Sequence, residues 1–370
     1  MGNLRRREFL KGSAVLAGAA ATGAFSCVEM ASAAPIEVPV VDRLAIRVLV
    51  DGFQDNFLPG QKANGVEITR PTPRPANVLR ALHNQFGLSL LLESERANEQ
   101  RTVMLDFGYT PEALLNNIEL LAVDPRKITA LVMSHGHFDH LGGLMGFVDK
   151  YRNALPENLP LYAGGEDNFC RRHLPSPGGP LAEWGTIDRR ELATRRVTTV
   201  LAENPTVVAG HAFTTGKIQR TSIERVLPNT MVEFSNRDAL GCDASHYTSA
   251  ELQGKIVPDE HIHEHATCFN VKDRGLVVIT SCGHAGIINT VRQAREVSGV
   301  QKLHALVGGL HLGPAPAPYL AQVVSELKAL EPDVVVPMHC SGLNFAQIMR
   351  EQMPDKLLIS TTGSRVTFGA

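Results

Sequence analysis

The residues of this chain best suited to chemistry lie in one short run, Ser134-His135-Gly136-His137-Phe138-Asp139-His140. His135 and His137 stand two apart on what reads as a tight loop, and Gly136 between them lets both imidazoles turn toward one point. Two imidazoles so placed chelate one ion. Asp139 and His140 follow directly and project elsewhere, which suits them to a second ion or to the outer side of the first. Imidazole with a minority of carboxylate is a ligand set for zinc, one ion or two, with iron or manganese as lesser alternatives. A catalytic zinc takes three protein ligands and keeps one position open, so distant side chains must complete the site. His284 and His339 are the candidates, since each follows an apolar run and is flanked by small residues. His311 shares that setting and is assigned, with Asp139, to the catalytic machinery. His261, His263 and His265 follow Pro258-Asp259-Glu260 and read as a solvated loop, because polar loops need no special cause. His246 and Tyr247 are weaker candidates to line a pocket.

These side chains need elements to carry them. Short apolar runs rich in Val, Ile and Leu alternate with helical patterns and turn signals, which predicts an α/β protein. Strands are expected at 45–50, 88–93, 102–105 and 128–133, the last running straight into the histidine run. Thr110-Pro111-Glu112 predicts a helix start, with Thr as cap and Pro in the first turn. A hairpin is expected about Asp273-Arg274-Gly275, then a helix over 285–297, a strand over 303–307, a helix over 318–330 and a strand over 334–337. Three times a predicted strand delivers a histidine at its carboxyl end: His284, His311 and His339. Residues from about 151 to 265 are irregular, with Gly/Pro clusters and the lone Trp184, and read as a pocket-shaping insertion.

The run His135-Gly-His137-Phe-Asp139-His140, followed by Leu141-Gly142-Gly143, resembles the HxHxDH signature of the metallo-β-lactamase superfamily. Within it, Cys282-Gly283-His284-Ala285-Gly286-Ile287, Gly308-Gly309-Leu310-His311-Leu312 and His339-Cys340-Ser341-Gly342 resemble the branch that includes dihydropterin-ribofuranosylaminobenzene phosphate synthases. The resemblance implies an αββα sandwich of two mixed sheets with outer helices and the metal site at one edge. It also implies that Asp106, before Phe107-Gly108, orients metal ligands rather than binding the ion. The familiar hydrolases place a bridging aspartate at a later strand end, where this chain has Cys282-Gly283-His284. The two-iron redox relatives characteristically carry a glutamate where this chain has His137. The expected activity is hydrolysis of a small ester, lactone, phosphoester or sulfate ester by a water that the ion activates. A pterin-type synthase or transferase, or a non-catalytic or redox two-metal protein, are the alternatives.

At 370 residues and 44% hydrophobic content the chain can bury a full core without disulfides or a partner. Arg5-Arg6-Arg7-Glu8-Phe9-Leu10-Lys11, the apolar stretch after it and Ala31-Ser32-Ala33 read as a cleaved twin-arginine export signal over residues 1–33, with a periplasmic or secreted domain over 34–370. The apolar stretch is too short and Gly-rich to span a bilayer. Removing residues 1–33 takes four basic and two acidic residues, moving the formal charge from -2 to -4. With no basic face, nucleic acid is excluded as a partner and a small molecule is expected. Five cysteines remain after Cys27, an odd number that makes a poor disulfide framework, though it allows one bridge.

Overall fold

Nine segments pair edge to edge in the order Val197–Leu201, Leu159–Ala163, Ile128–Met133, Glu99–Leu105, Ser89–Arg96, Arg43–Val50, Arg365–Phe368, Val66–Thr69 and Gln61–Ala63. A second, seven-stranded sheet runs Val207–Val208, Ala212–Thr214, Thr267–Val271, Gly275–Thr280, Leu303–Gly309 and Val334–Met338, with Val40–Val41 paired to Thr267–Val271 off that path. This computed structural model describes residues 35–71, 79–237, 240–249, 252 and 256–369. The export signal expected over residues 1–33, and Cys27 within it, lie outside the described residues. Among the described residues no helix is long and apolar enough to cross a membrane.

The strand period of two sorts the side chains into layers. Val132 joins Ile46, Leu90 and Val103 of the first sheet to Phe269, Ile279, Val307 and Val336 of the second. Its neighbours Leu131 and Met133 point the other way, onto Leu114, Ile118, Phe147 and Val148 of helices Pro111–Leu120 and Leu144–Tyr151. The outer face of the second sheet buries Val278, Leu306 and Val335 under helices Ile287–Ser298, Ala317–Ala329 and Leu343–Gln352. Two mixed sheets packed face to face with helices outside make the expected αββα sandwich. At about 25 cal/mol per Å² of apolar surface removed from water, these three shared cores supply the main drive for folding.

The strand directions are what place the chemistry. Glu99–Leu105, Ile128–Met133, Leu159–Ala163 and Val197–Leu201 run parallel, as do Gly275–Thr280, Leu303–Gly309 and Val334–Met338. Ligand sites of parallel sheets form beyond carboxyl strand ends, and here those ends carry Asp106, His135, Cys282, His284, His311 and His339.

The region from 151 to 265 differs from a simple insertion. Leu159–Ala163 and Val197–Leu201 extend the first sheet, and Val207–Val208 and Ala212–Thr214 extend the second. Their apolar residues Leu159, Leu161, Val197 and Phe213 are needed to close the cores. What stands apart is a four-stranded sheet in the order Ala182–Gly185, Arg171–Leu174, Met231–Glu233, Ile256–Pro258, beside which Cys170 and Cys242 form a disulfide. Among the described residues Cys268, Cys282 and Cys340 are free and buried.

Local signals act as their chemistry requires. Thr110 Oγ1 accepts from Ala113 N at the start of its helix, and Pro111 fills the first turn. The helix expected from 285 begins instead at Ile287, because Glu224 reaches in to accept the N–H groups of Ile287, Ile288 and Asn289 at 2.8, 2.9 and 3.2 Å. A carboxylate at a helix N-terminus satisfies orphan donors and meets the positive end of the dipole.

Candidate metal centre

Strand Glu99–Leu105 ends at Asp106, buried and held at φ 56°, and this carboxylate organises the histidine loop. Its Oδ1 accepts from Ser134 N at 2.8 Å, and its Oδ2 accepts from Ser134 Oγ at 2.7 Å and faces His140 Nδ1 at 2.7 Å. With the Ser134 hydroxyl hydrogen spent on Asp106, Ser134 Oγ is left to accept from His135 Nδ1, 2.8 Å away. Nδ1 of both His135 and His140 is thus occupied, and each ring turns Nε2 outward as an acceptor. His137 is held in the opposite sense: its Nε2 meets Thr230 Oγ1 at 2.8 Å, which leaves Nδ1 free. Thr230 Oγ1 continues to Asp259 Oδ2 at 3.2 Å, and Asp259 Oδ2 accepts from Arg172 Nε at 2.7 Å.

Arg172 is fully buried, and three of its other N–H groups go to Asp167 Oδ2 and the carbonyls of Asp167 and Cys170. It also explains Gly136. A Cβ there would lie 2.2 Å from Arg172 Nη1 and 2.4 Å from Asn168 O, so this glycine is required by close approach of a buried cation. Gly136→Ala is expected to cost about 1–3 kcal/mol from overpacking, read as a lower urea midpoint at unchanged slope.

The structure brings the sequence-predicted residues into two groups. His135, His137 and His284 place one ligand atom each, with Cys282, all within 4.8 Å of one another. Ring centroids are 4.6 Å apart for His135 and His137, 5.0 Å for His135 and His284, and 4.9 Å for His137 and His284. Next to them, His140 Nε2 lies 3.2 Å from His339 Nε2, and Asp139 Oδ2 lies 3.3 Å from His339 Nε2 and 3.7 Å from His140 Nε2. His311 sits at the margin, half-buried, with its ring 4.1 Å from His284 and its Nε2 3.5 Å from Pro228 O.

The donor set fits a cation. His135 Nε2, both nitrogens of His284 and Asp139 Oδ1 are buried without a hydrogen-bond partner. Buried polar atoms are seldom left so in a folded protein unless something binds them. Burial, and then mutual repulsion, drives His135, His137 and His284 well below the ordinary imidazole pKa of 6.5, so their lone pairs stay open. Asp139 is ionised despite its burial, because His140 and His339 beside it outweigh the desolvation.

His261 corrects the solvated-loop expectation. It is buried and stacks on His284 at 3.9 Å with a 12° interplanar angle, its Nδ1 without a partner. Asp259 Oδ1 accepts from His261 N and Asn229 Oδ1 faces its Nε2 at 3.1 Å, so an anchored turn carries it inward. His265 is buried too, but it braces the loop from behind with Nε2 on Met133 O at 3.0 Å. His263 Nδ1 accepts from Asp167 N. Of the weak pocket candidates, His246 is exposed and Tyr247 OH meets Cys170 Sγ at 3.2 Å, away from the histidines. Asp106, His261, His311 and His339 all have positive φ, 44–56°, an uncommon strain for non-glycine residues that gathers at functional sites. A cleft of about 560 Å³ is lined by Arg225, Leu227, Pro228, Asn229, Thr230 and Asp259, several of which touch the histidines. On another side Trp184 lies 5.1 Å from the His137 ring and donates to Tyr109 OH.

Residues 85–224 match the family model of the metallo-β-lactamase superfamily. Over 275 residues the chain is 25% identical to the 7,8-dihydropterin-6-methyl-4-(β-D-ribofuranosyl)-aminobenzene-5'-phosphate synthase of Methanocaldococcus jannaschii, covering 74% of this chain and 86% of that one. An uncharacterized protein of the same organism is 25% identical over 262 residues, covering 70% of this chain and 84% of its own. Among solved structures, a metal-dependent hydrolase of the β-lactamase superfamily superposes with a TM-score of 0.62 at 20% identity, covering 87% of this chain and 98% of that chain. The chain has the metallo-β-lactamase fold, and over residues 85–224 it is similar to that superfamily.

Proposed function

We propose that this protein is a metal-dependent hydrolase of a small ester, lactone, phosphoester or sulfate ester. The observation that carries the reading is the convergence of His135, His137 and His284, with unpartnered nitrogens on His135 and His284, beside Asp139, His140 and His339. This imidazole-rich set suits zinc, and zinc held there supplies Lewis acidity and a water made acidic enough to attack near neutral pH. Asp139 is a buried anion with a free Oδ1, placed to orient a water and take its proton. His311 borders Pro228, a lining residue of the cleft, and carries a free Nδ1, placed to return a proton to the leaving group. The cleft's volume suits a small molecule.

A synthase acting on a pterin-like substrate is the second reading, favoured by the M. jannaschii relative's name. Export remains part of the proposal, supported by the twin-arginine pattern and by the Cys170–Cys242 disulfide, a bond that persists in oxidising compartments.

The test is elemental analysis of the purified protein together with a panel of carboxylic, phosphate and sulfate esters and lactones. Chelation should abolish turnover and zinc should restore it; turnover that survives metal removal rejects the hydrolase reading. Product formation only from pterin and aminobenzene substrates decides for the synthase.

Thr230 gives a narrower prediction. Thr230→Val keeps the shape but removes the hydroxyl that fixes the tautomer of His137. Metal affinity is expected to fall about 10–100-fold, as for other side chains that orient ligands, which competition with a chromogenic chelator measures.

A further inference from the structure

We infer that Cys282 is a metal ligand shared by two ion positions, its sulfur taking the bridging role between the two histidine groups. The inference rests on the metal-centre reading and goes beyond it by naming a thiolate bridge. Two residues after strand Gly275–Thr280, Cys282 is buried, and its Sγ belongs to both groups. It lies within 4.8 Å of the ligand atoms of His135, His137 and His284, and within the same distance of those of His140 and His339. It is 3.4 Å from His140 Nε2. Among the described residues, no other is common to these two groups.

One ion cannot serve all of these donors, since zinc takes about four ligands at about 2.0–2.3 Å. Two ions separated by a single donor can. A thiolate sulfur has lone pairs for both, and each ion then keeps a histidine set of its own. The unpartnered nitrogens of His135 and His284 supply independent evidence that something sits opposite the sulfur. Binding exchanges the thiol hydrogen for metal, and that proton leaves to solvent. Sulfur in place of carboxylate also softens the site, favouring zinc over magnesium or manganese.

Cys340 is the obvious rival and is placed differently. Its Sγ lies 3.4 Å from Cys282 Sγ, but it accepts from His311 N at 3.2 Å and faces the Cys282 carbonyl at 3.7 Å. It shares ligand reach with Cys282 and His311 and with neither histidine group.

Cobalt(II) loading of the metal-stripped full-length protein tests the assignment without an activity assay. Wild type should bind about two ions per chain and show a thiolate-to-cobalt charge-transfer absorption, which C340S should retain. C282S should lose that absorption and drop to about one tightly held ion. C282D, which restores a bridging carboxylate, should recover about two ions without the absorption, and so covers the case of a serine variant that fails to fold. Cobalt-loaded wild type without a sulfur band overturns the inference while leaving the metal reading intact. So does a band that persists in C282S or disappears only in C340S. Wild type that binds no cobalt or zinc overturns both.

Discussion

Asp106→Asn is expected to lower metal affinity about 10–100-fold and to destabilise the metal-free fold by about 3–5 kcal/mol. The carboxylate takes three short contacts: Ser134 N at 2.8 Å, Ser134 Oγ at 2.7 Å and His140 Nδ1 at 2.7 Å. All three partners act as donors, so an amide nitrogen at either position faces a donor and leaves a buried group unpaired. Leaving one member of a buried charged network uncompensated costs more than the net worth of the bonds it made. Asparagine isolates this effect. It tolerates the left-handed backbone that Asp106 adopts at φ 56°, so the loss is not confounded by strain. Ser134→Ala removes the hydroxyl that hands the same orientation to His135, and should cost about 1–3 kcal/mol. Because both residues act through one network, the double variant should lose less than the sum. Urea unfolding and chelator competition on the variants check the set, and an Asp106→Asn protein with wild-type stability and metal content refutes this role.

Much of this centre is legible in the sequence, for a definite reason. A histidine one to four residues beyond the carboxyl end of a buried parallel strand lies at the sandwich edge, so His135, His284, His311 and His339 announce themselves by following apolar runs. Asp106 is found the same way, at the end of Glu99–Leu105. His261 was hidden because nothing local directs it inward. Its turn is held by Asp259, which is paired to Arg172, 87 residues earlier and fully buried. An interaction so distant leaves no period or cap to read; the His-x-His-x-His pattern was the only signal available. Thr230 gave no signal, since one threonine in an irregular region has no distinguishing context. Cys282 was visible as a departure from the expected aspartate, but only the fold shows its sulfur within reach of both histidine groups. The short strands Leu159–Ala163 and Val197–Leu201 were obscured by Pro160 and by neighbouring Gly/Pro clusters, although Leu159, Leu161 and Ala163 alternate as a half-buried strand should.

The pH dependence of the metal-free protein tests how His261 is held. Burial, opposed only in part by Asp259, brings its pKa from 6.5 to about 3. In the unfolded chain the imidazole takes up a proton near pH 6.5, whereas in the fold it stays neutral until about pH 3. The unfolded state therefore binds more protons across that window, and the contribution of His261 to stability, complete above pH 6.5, is lost as pH falls toward 3. The slope for one such group is about 1.4 kcal/mol per pH unit. His135, His137 and His284 shift the same way, while Asp51 and Asp167, raised to about 6 by burial, act oppositely below that pH. Absolute acid stability therefore mixes several groups, and the difference between wild type and His261→Asn isolates one. Asparagine cannot titrate and keeps a polar group beside Asn229. At pH 7 wild type should be the more stable, through its stacking on His284 and its bond to Asn229. Below pH 6.5 that advantage should shrink by about 1.4 kcal/mol per unit and be lost within about two units, so near pH 4.5 the variant is the more stable protein. Urea denaturation of both chelated proteins from pH 7 to 4.5 measures this directly. A stability difference that stays flat across the range means that His261 is protonated in the fold as readily as in the unfolded chain, and is not held as a neutral imidazole against His284.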